Sequence, residues 1–300
     1  MSKDLMNLGD LGADKLAQVL ELAAWMKKNR GKEQKALAGK SIGLIFLKSS
    51  TRTRVSFEVG VNELGGSPLY LDSHGLQLGR GESYEDTARV LSRYLHGIVI
   101  RGHAHDQIAA FGKECSVPVI NALTDRFHPC QLLADLQTVI EKFGHLKGLR
   151  VSFLGDTACN MGNSWILASQ LCGFELRLGG PKGYQPDFSQ LPSWVDTSKI
   201  IVTDDPVAAV KDCHVVNTDT GVSMGFEAEA ADRLKALGPF QLNAELLAHA
   251  DKSAIVMHCL PAYRGKEVTA EVLDGPRSVI WDEAENRLHA QKALMATLFK

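Results

Sequence analysis

The sequence predicts an α/β protein of two domains, and three observations carry that expectation. Short apolar runs of strand length alternate along the chain with longer stretches whose apolar residues recur at helical spacing. Polar residues able to do chemistry follow directly on several of those runs, and strand ends are where open parallel sheets present ligands. At Gly144–Leu149 the alternation breaks and then starts afresh. Three hundred residues are enough for two domains that each bury a core.

Composition narrows the function classes. With 45% apolar and 23% charged residues the chain has the balance of a water-soluble globular protein. A formal charge of −2 excludes a general polyanion-binding surface, so any anion site must be local. No apolar run reaches the roughly 18–20 residues that a membrane helix needs. Met1-Ser2-Lys3-Asp4 does not lead into the apolar core of a signal peptide. The six cysteines are scattered with no C-x-x-C pair, which fits a reducing cytoplasm better than a disulfide framework. There is no internal repeat and no low-complexity segment.

Leu16, Val19, Leu20, Ala23 and Met26 mark one face of a first helix, with Lys27, Lys28 and Arg30 at its C-terminal end and Gly31 to stop it. Ile42–Leu47 reads as a buried strand. Lys48-Ser-Ser-Thr-Arg-Thr-Arg54 follows, and Val55, Phe57, Val59, Val61 and Leu64 then place a helix start near Thr53. Hydroxyls cap the unpaired N–H groups of a helix start, where the dipole favours an anion. Arginines add forked donors matched to phosphate or carboxylate. The other reading of these residues is a well-capped helix with solvated arginines. A P-loop is disfavoured, because no Gly-rich stretch ends in Lys-Ser/Thr.

Pro68–Leu71 is a second strand, and the glycines of Asp72–Ser83 suggest a mobile surface loop. A helix from Tyr84 to about Arg93 and a strand Gly97–Arg101, ending in a cation, come next. His103 and His105 lack further ligands at a recognised spacing and read as a solvated loop. Val117–Asn121 is a strand, and His128-Pro129-Cys130-Gln131 opens a helix over Leu132–Lys142. A histidine there is usually a cap or packing residue, yet it joins Arg52 and Arg101 as a third donor just after an apolar strand.

The second half begins with strand Val151–Leu154, then Gly155–Asn163, helix Ser164–Cys172 and strand Glu175–Leu178. Gly-x-Gly-x-x-Gly is missing, with Thr157 where the second Gly would stand, so a dinucleotide site is disfavoured. His214–Thr218 ends at Asp219, either a ligand or a cap for the next helix. Ala254–Met257 ends at His258-Cys259-Leu260-Pro261. Adjacent side chains on an extended strand point to opposite faces, which argues against a direct Cys259–His258 couple. A helix from Asn286 onward carries Leu288, Leu294, Met295 and Leu298.

Five of these segments, in this order, resemble the aspartate/ornithine carbamoyltransferase family: Ser50-Thr51-Arg52-Thr53-Arg54 with Ser56-Phe57-Glu58, the Asp86–Leu91 run, His128-Pro129-Cys130-Gln131, Asp219 with Ser223-Met224-Gly225, and His258-Cys259-Leu260-Pro261. The resemblance covers nearly the whole chain, and its details are those of ornithine-type members. It implies two similar-sized domains, each a mainly parallel sheet flanked by helices, with the active site in the cleft between them. A carbamoyl-phosphate-binding domain would span 1–143, with helix 286–300 packing back on it, and an ornithine-binding domain 144–285. The reaction implied is transfer of a carbamoyl group from carbamoyl phosphate to ornithine, giving citrulline and phosphate, with aspartate or acetylornithine as the alternative acceptor. No cofactor or metal is implied.

By position, the resemblance assigns Ser50, Thr51, Arg52, Thr53 and Arg101 to the phosphate. Arg101, His128, Gln131 and Thr53 would surround the carbamoyl group, with backbone near Cys259 and Leu260. Asn160, Asp219, Ser223 and Met224 would hold the amino-acid end of ornithine, and Cys259 and Arg287 would complete the site. A homotrimer is implied, in which the Gln77–Ser83 loop reaches a neighbouring subunit's site. Three residues depart from the pattern: Gly221 stands where many members have Trp, Cys159 replaces the first of two asparagines, and Leu47 takes a position often held by Glu.

Overall fold

The computed structural model of the chain describes residues 2–72, 76–222 and 227–299. It divides into two compact units, Met1–Gln137 with Ala284–Lys300, and Thr138–Glu283.

The first unit is built on strands β1 (Ser41–Phe46), β2 (Ser67–Asp72), β3 (Gly97–Arg101) and β4 (Val119–Leu123), with helices α1 (Gly12–Lys28), α2 (Thr51–Glu63), α3 (Tyr84–Leu91), α4 (His105–Glu114) and the start of α5 (Pro129–Phe143). The sheet order is β2-β1-β3-β4 and every pairing is parallel. Parallel neighbours need a crossover, which the intervening helices supply. β3 is buried along its whole length and β1 from Ile42 onward, as strands covered on both faces must be. Ile45, Ile98, Ile100, Ile108, Phe111 and Val119 form one shared core. The chain leaves β1 toward β2 and returns on the other side as β3, so the topology reverses where Phe46 lies beside Arg101.

The second unit repeats the plan. Its strands are β5 (Arg150–Leu154), β6 (Glu175–Gly179), β7 (Ile200–Thr203), β8 (Val215–Thr218) and β9 (Ile255–His258). They run parallel in the order β7-β6-β5-β8-β9. The helices are α6 (Asn160–Cys172), α7 (Pro206–Val210), α8 (Ala230–Leu237), α9 (Ala244–Leu247), α10 (Ala270–Leu273) and the start of α11 (Ile280–Leu298). Here the reversal falls between β5 and β8, with Leu154 beside Thr218. The fold class is the one expected, two parallel sheets each flanked by helices.

Several helices start earlier than apolar periodicity alone places them, and at α2 a side-chain cap sets the start. α2 begins at Thr51 behind the N-cap Ser50, α5 at Pro129, α6 at Asn160 and α11 at Ile280. Proline suits a first helical position, since its missing N–H would have had no partner there. Gln77–Arg80 is a short 3-10 turn rather than a formless loop, and Ser83 caps α3 by accepting from the Asp86 N–H at 3.0 Å. His74 and Gly75 of the expected loop lie outside the described residues. Among the described residues no helix is long and apolar enough to cross a membrane.

Candidate functional site

In the first unit the strand exits at the topological reversal carry a buried polar cluster. The Ser50 hydroxyl accepts from the Thr53 N–H at 3.3 Å, which fixes the first turn of α2. Thr51 and Arg52 are exposed on that turn, where a helix start leaves N–H groups without intrahelical acceptors. Arg54 belongs elsewhere, with its guanidinium 3.7 Å over the Tyr70 ring and its Nε 3.4 Å from Glu58. Of the two arginines in this stretch, Arg54 is thus engaged with Tyr70 and Glu58, while Arg52 is exposed at the helix start.

Thr53 is 1% exposed, and its hydroxyl accepts from Arg287 Nη2 at 3.0 Å and from Arg101 Nη1 at 3.4 Å. Arg287 Nη1 donates to Gln131 Oε1 at 2.7 Å, and its Nε donates to Gln291 Oε1 at 2.9 Å. Gln131 in turn donates to Asp135 at 2.8 Å, and Gln291 donates to the Ser56 hydroxyl at 2.7 Å. Arg101 closes β3 and His128 precedes α5, both buried. Burial first, and then the positive charges of Arg287, Arg101 and Arg52, hold the His128 imidazole well below the usual histidine range. His128 is thus neutral at physiological pH, with one ring N–H to donate and no positive charge. Burial pushes the neighbouring Cys130 thiol up to about 12, so it is a packing group and not a nucleophile.

Asp135 and Gln291 were not singled out from the sequence. Both stand four residues after a singled-out residue on the same helix, the spacing that brings side chains together. That spacing was the available signal. Gln77 is exposed at the head of its turn, and no hydrogen bond among the described residues joins its side chain to this cluster. His103 is exposed as expected, but His105 is not solvated. It is 7% exposed at the start of α4, with Nδ1 3.0 Å from the Thr124 hydroxyl and its ring edge-on to Phe127.

In the second unit the exits of β5, β8 and β9 gather the other expected residues. Asn160 opens α6 behind Cys159, and Asp219 follows β8. Asp219 Oδ1 accepts from the Thr220 N–H at 2.7 Å and from the Cys259 thiol at 3.1 Å. Leu260 adopts φ 58° and is followed by a cis proline. Ser223 and Met224 lie outside the described residues.

The ligating atoms of Asp219, His258 and Cys259 lie within 4.8 Å of one another. His258 and Cys259 are therefore close, and the opposite-faces argument fails because the extended backbone ends at His258. A direct couple is still not formed. His258 Nδ1 accepts from the Leu260 N–H at 2.9 Å, its Nε2 lies 3.1 Å from Glu267, and the thiol points to Asp219. With both ring nitrogens engaged, His258 fits the trio poorly as a metal ligand.

Apart from Gln77, the expected residues that the structure describes are thus held in two polar sets, each at the reversal of a parallel sheet. The Aspartate/ornithine carbamoyltransferase, carbamoyl-P binding domain, matches residues 3–141, and the Asp/Orn binding domain of the same enzymes matches residues 147–298. An ornithine carbamoyltransferase of Methanocorpusculum labreanum is 48% identical over 301 residues, covering 99% of this chain and 98% of its own. One from Methanosarcina mazei is 49% identical over 303 residues, with both chains fully covered. Among solved structures, the ornithine carbamoyltransferase from Pyrococcus furiosus superposes with a TM-score of 0.92 at 46% identity, covering 98% of this chain and 96% of that one. At that identity over both whole lengths, and with both domain families matched in order, the chain belongs to the aspartate/ornithine carbamoyltransferase family.

Proposed function

We propose that this protein transfers the carbamoyl group of carbamoyl phosphate to the side-chain amine of L-ornithine, giving L-citrulline and phosphate. The observation that carries the reading is the buried set Thr53, Arg101, His128, Gln131 and Arg287, in which two arginines and a neutral histidine converge beside an open helix start. Such a set suits a small dianion carrying a polarised carbonyl.

Ser50, Thr51, Arg52, Thr53 and Arg101 hold the phosphate, using the α2 N–H groups, its dipole and the arginines. Attack of the neutral amine on the carbamoyl carbon moves negative charge onto the carbonyl oxygen. Arg101 and His128 donate to that oxygen, with Gln131 and Arg287 setting their surroundings. Donors already in place stabilise such charge by about 3–4 kcal/mol each in comparable sites. The carbon–nitrogen bond forms as the bond to phosphate breaks, and the proton shed by the nitrogen leaves with phosphate or solvent. Asn160, Asp219, Ser223 and Met224 hold the α-amino acid end of ornithine, while Cys259 and Leu260 complete the carbamoyl pocket. Carbamoyl phosphate belongs to residues 1–143 with helix 286–300, ornithine to 144–285.

The homotrimer is part of the same reading, with Gln77 and its turn serving the adjacent subunit. So is a cytoplasmic setting, which the six cysteines, none of them in a disulfide, support. A colorimetric assay of carbamoyl transfer, run in parallel with ornithine, aspartate and acetylornithine, tests the proposal. Product from ornithine alone is expected, and preference for either other acceptor overturns it.

A further inference from the structure

Arg233 on α8 is 5% exposed and joins two of the loops that carry the second set. Its Nε donates to the Gly221 carbonyl at 2.8 Å, and its Nη2 forms an ion pair with Asp156. Its guanidinium lies 5.0 Å over the Tyr184 ring. The Tyr184 carbonyl accepts from the Thr157 and Ala158 N–H groups at 2.9 and 3.1 Å, and from the Thr157 hydroxyl at 2.9 Å. One buried side chain thus ties the turn after β8, which bears Asp219, to the turn after β5, which leads to Asn160.

Gly221 makes the tie close. A Cβ at this position would stand 3.0 Å from Leu237 Cδ1, so α8 approaches the turn nearer than a side chain allows without adjustment. The same turn borders a cavity of about 250 Å³ lined by Asp219, Gly221, Leu234 and Leu237, so packing alone does not fix it. Charge points the same way. Asp156 is largely buried near Asp219: burial pushes its pKa up, the charge and hydrogen bond of Arg233 and the Ala158 N–H pull it down, and the Asp219 carboxylate adds a lesser push up. With Arg233 in place, Asp156 is neutralised internally and Asp219 is the acid left to meet an ammonium group.

We propose that Arg233 is a positioning residue for the amino-acid substrate, holding the Asp219 turn and the start of α6 in the arrangement that receives the α-ammonium and α-carboxylate groups. The inference rests on the function proposed above but concerns a residue that does not touch substrate.

The test compares the wild type with Arg233→Gln, Arg233→Lys and the charge-balanced double variant Asp156→Asn/Arg233→Gln. Steady-state kinetics gives KM for each substrate. Calorimetry gives the affinity for L-norvaline, which keeps the amino-acid end of ornithine and lacks its reacting amine, with carbamoyl phosphate present. Arg233→Gln should raise KM for ornithine and weaken norvaline binding by about tenfold or more, the weight of one hydrogen bond to a charged group, while KM for carbamoyl phosphate stays within about twofold. Arg233→Lys should fall between, since one ammonium cannot serve both partners. The double variant should regain thermal stability, because no lone buried charge remains, yet keep the raised ornithine KM, because the Gly221 carbonyl still lacks its donor. An ornithine KM restored by the double variant, or two KM values that move together, overturns the inference. If Arg233→Gln does not fold, the double variant carries the same comparison. A wild type that makes no citrulline overturns the function itself, whatever the variants do.

Discussion

Lys292→Met offers the strongest test of how α11 is fastened. Lys292 is fully buried, with its ammonium paired to Glu33 and 2.6 Å from Glu63. Removing the ammonium leaves two carboxylates where one pair of charges had been balanced. Glu63 keeps Arg30 at 2.6 Å and part of its side chain is exposed, so most of the cost falls on Glu33, whose side chain has no exposure. Breaking a buried pair by deleting one partner costs about 3–5 kcal/mol, and the remaining Arg30 places this case at about 3 kcal/mol.

The pH dependence has a definite sign. Burial raises the pKa of Glu33 and Glu63, but the bonds and charge of Lys292 outweigh it, and both carboxyls sit below their ordinary range. A depressed carboxyl contributes stability that is present above its unfolded pKa of about 4.3 and is lost as pH falls through the folded value. The gap between wild type and variant should therefore be full at neutral pH and close below about pH 4.3. Because two units need not unfold together, hydrogen exchange of the α11 amides is a better readout than a single melting curve. The variant should exchange faster there at neutral pH, and Glu33→Gln/Glu63→Gln/Lys292→Met should recover most of the loss. Equal protection in wild type and variant at neutral pH, or a gap that widens on acidification, would refute the reasoning.

Three further outcomes are expected. Arg52→Ala should raise KM for carbamoyl phosphate by about 10–100-fold with far-UV circular dichroism unchanged, and normal turnover at low carbamoyl phosphate would remove Arg52 from the phosphate site. At limiting ornithine, activity should climb between about pH 6.5 and 8.5 as the amine sheds its proton, with no separate histidine step, because His128 is already neutral there. A flat profile would count against attack by a free amine. Subunits carrying Arg52→Ala, mixed and reassembled with subunits carrying Gln77→Ala, should recover activity that neither shows alone. In a mixed form of the proposed trimer, about one site in three is then wholly native. Mixed trimers no more active than their parents would place Gln77 outside the neighbour's site.

The class of the fold and the segments that matter can be read along the chain, because both are local properties. A buried parallel strand must be a short apolar run, a crossover helix must show its period, and a ligand-bearing exit must put its polar residues directly after the strand. Ser50–Thr53, Arg101, His128–Gln131 and Asp219 are legible in that way. Partnerships between side chains are not, because they depend on which helix faces which strand. It takes the folded chain to stack Arg54 on Tyr70 while Arg287, from the far end of the sequence, bonds Thr53 and Gln131. Burial is equally non-local: it turns His105 from an expected solvated residue into a packed one, and with three nearby arginines it holds His128 neutral. The place of Cys259 follows from a backbone that turns at Leu260, which no pattern of side chains announced. Arg233 and Lys292 look in the sequence like ordinary helix cations. Their carboxylate partners, Asp156 and Glu33, hold them in place, and those partners lie 77 and 259 positions away along the chain.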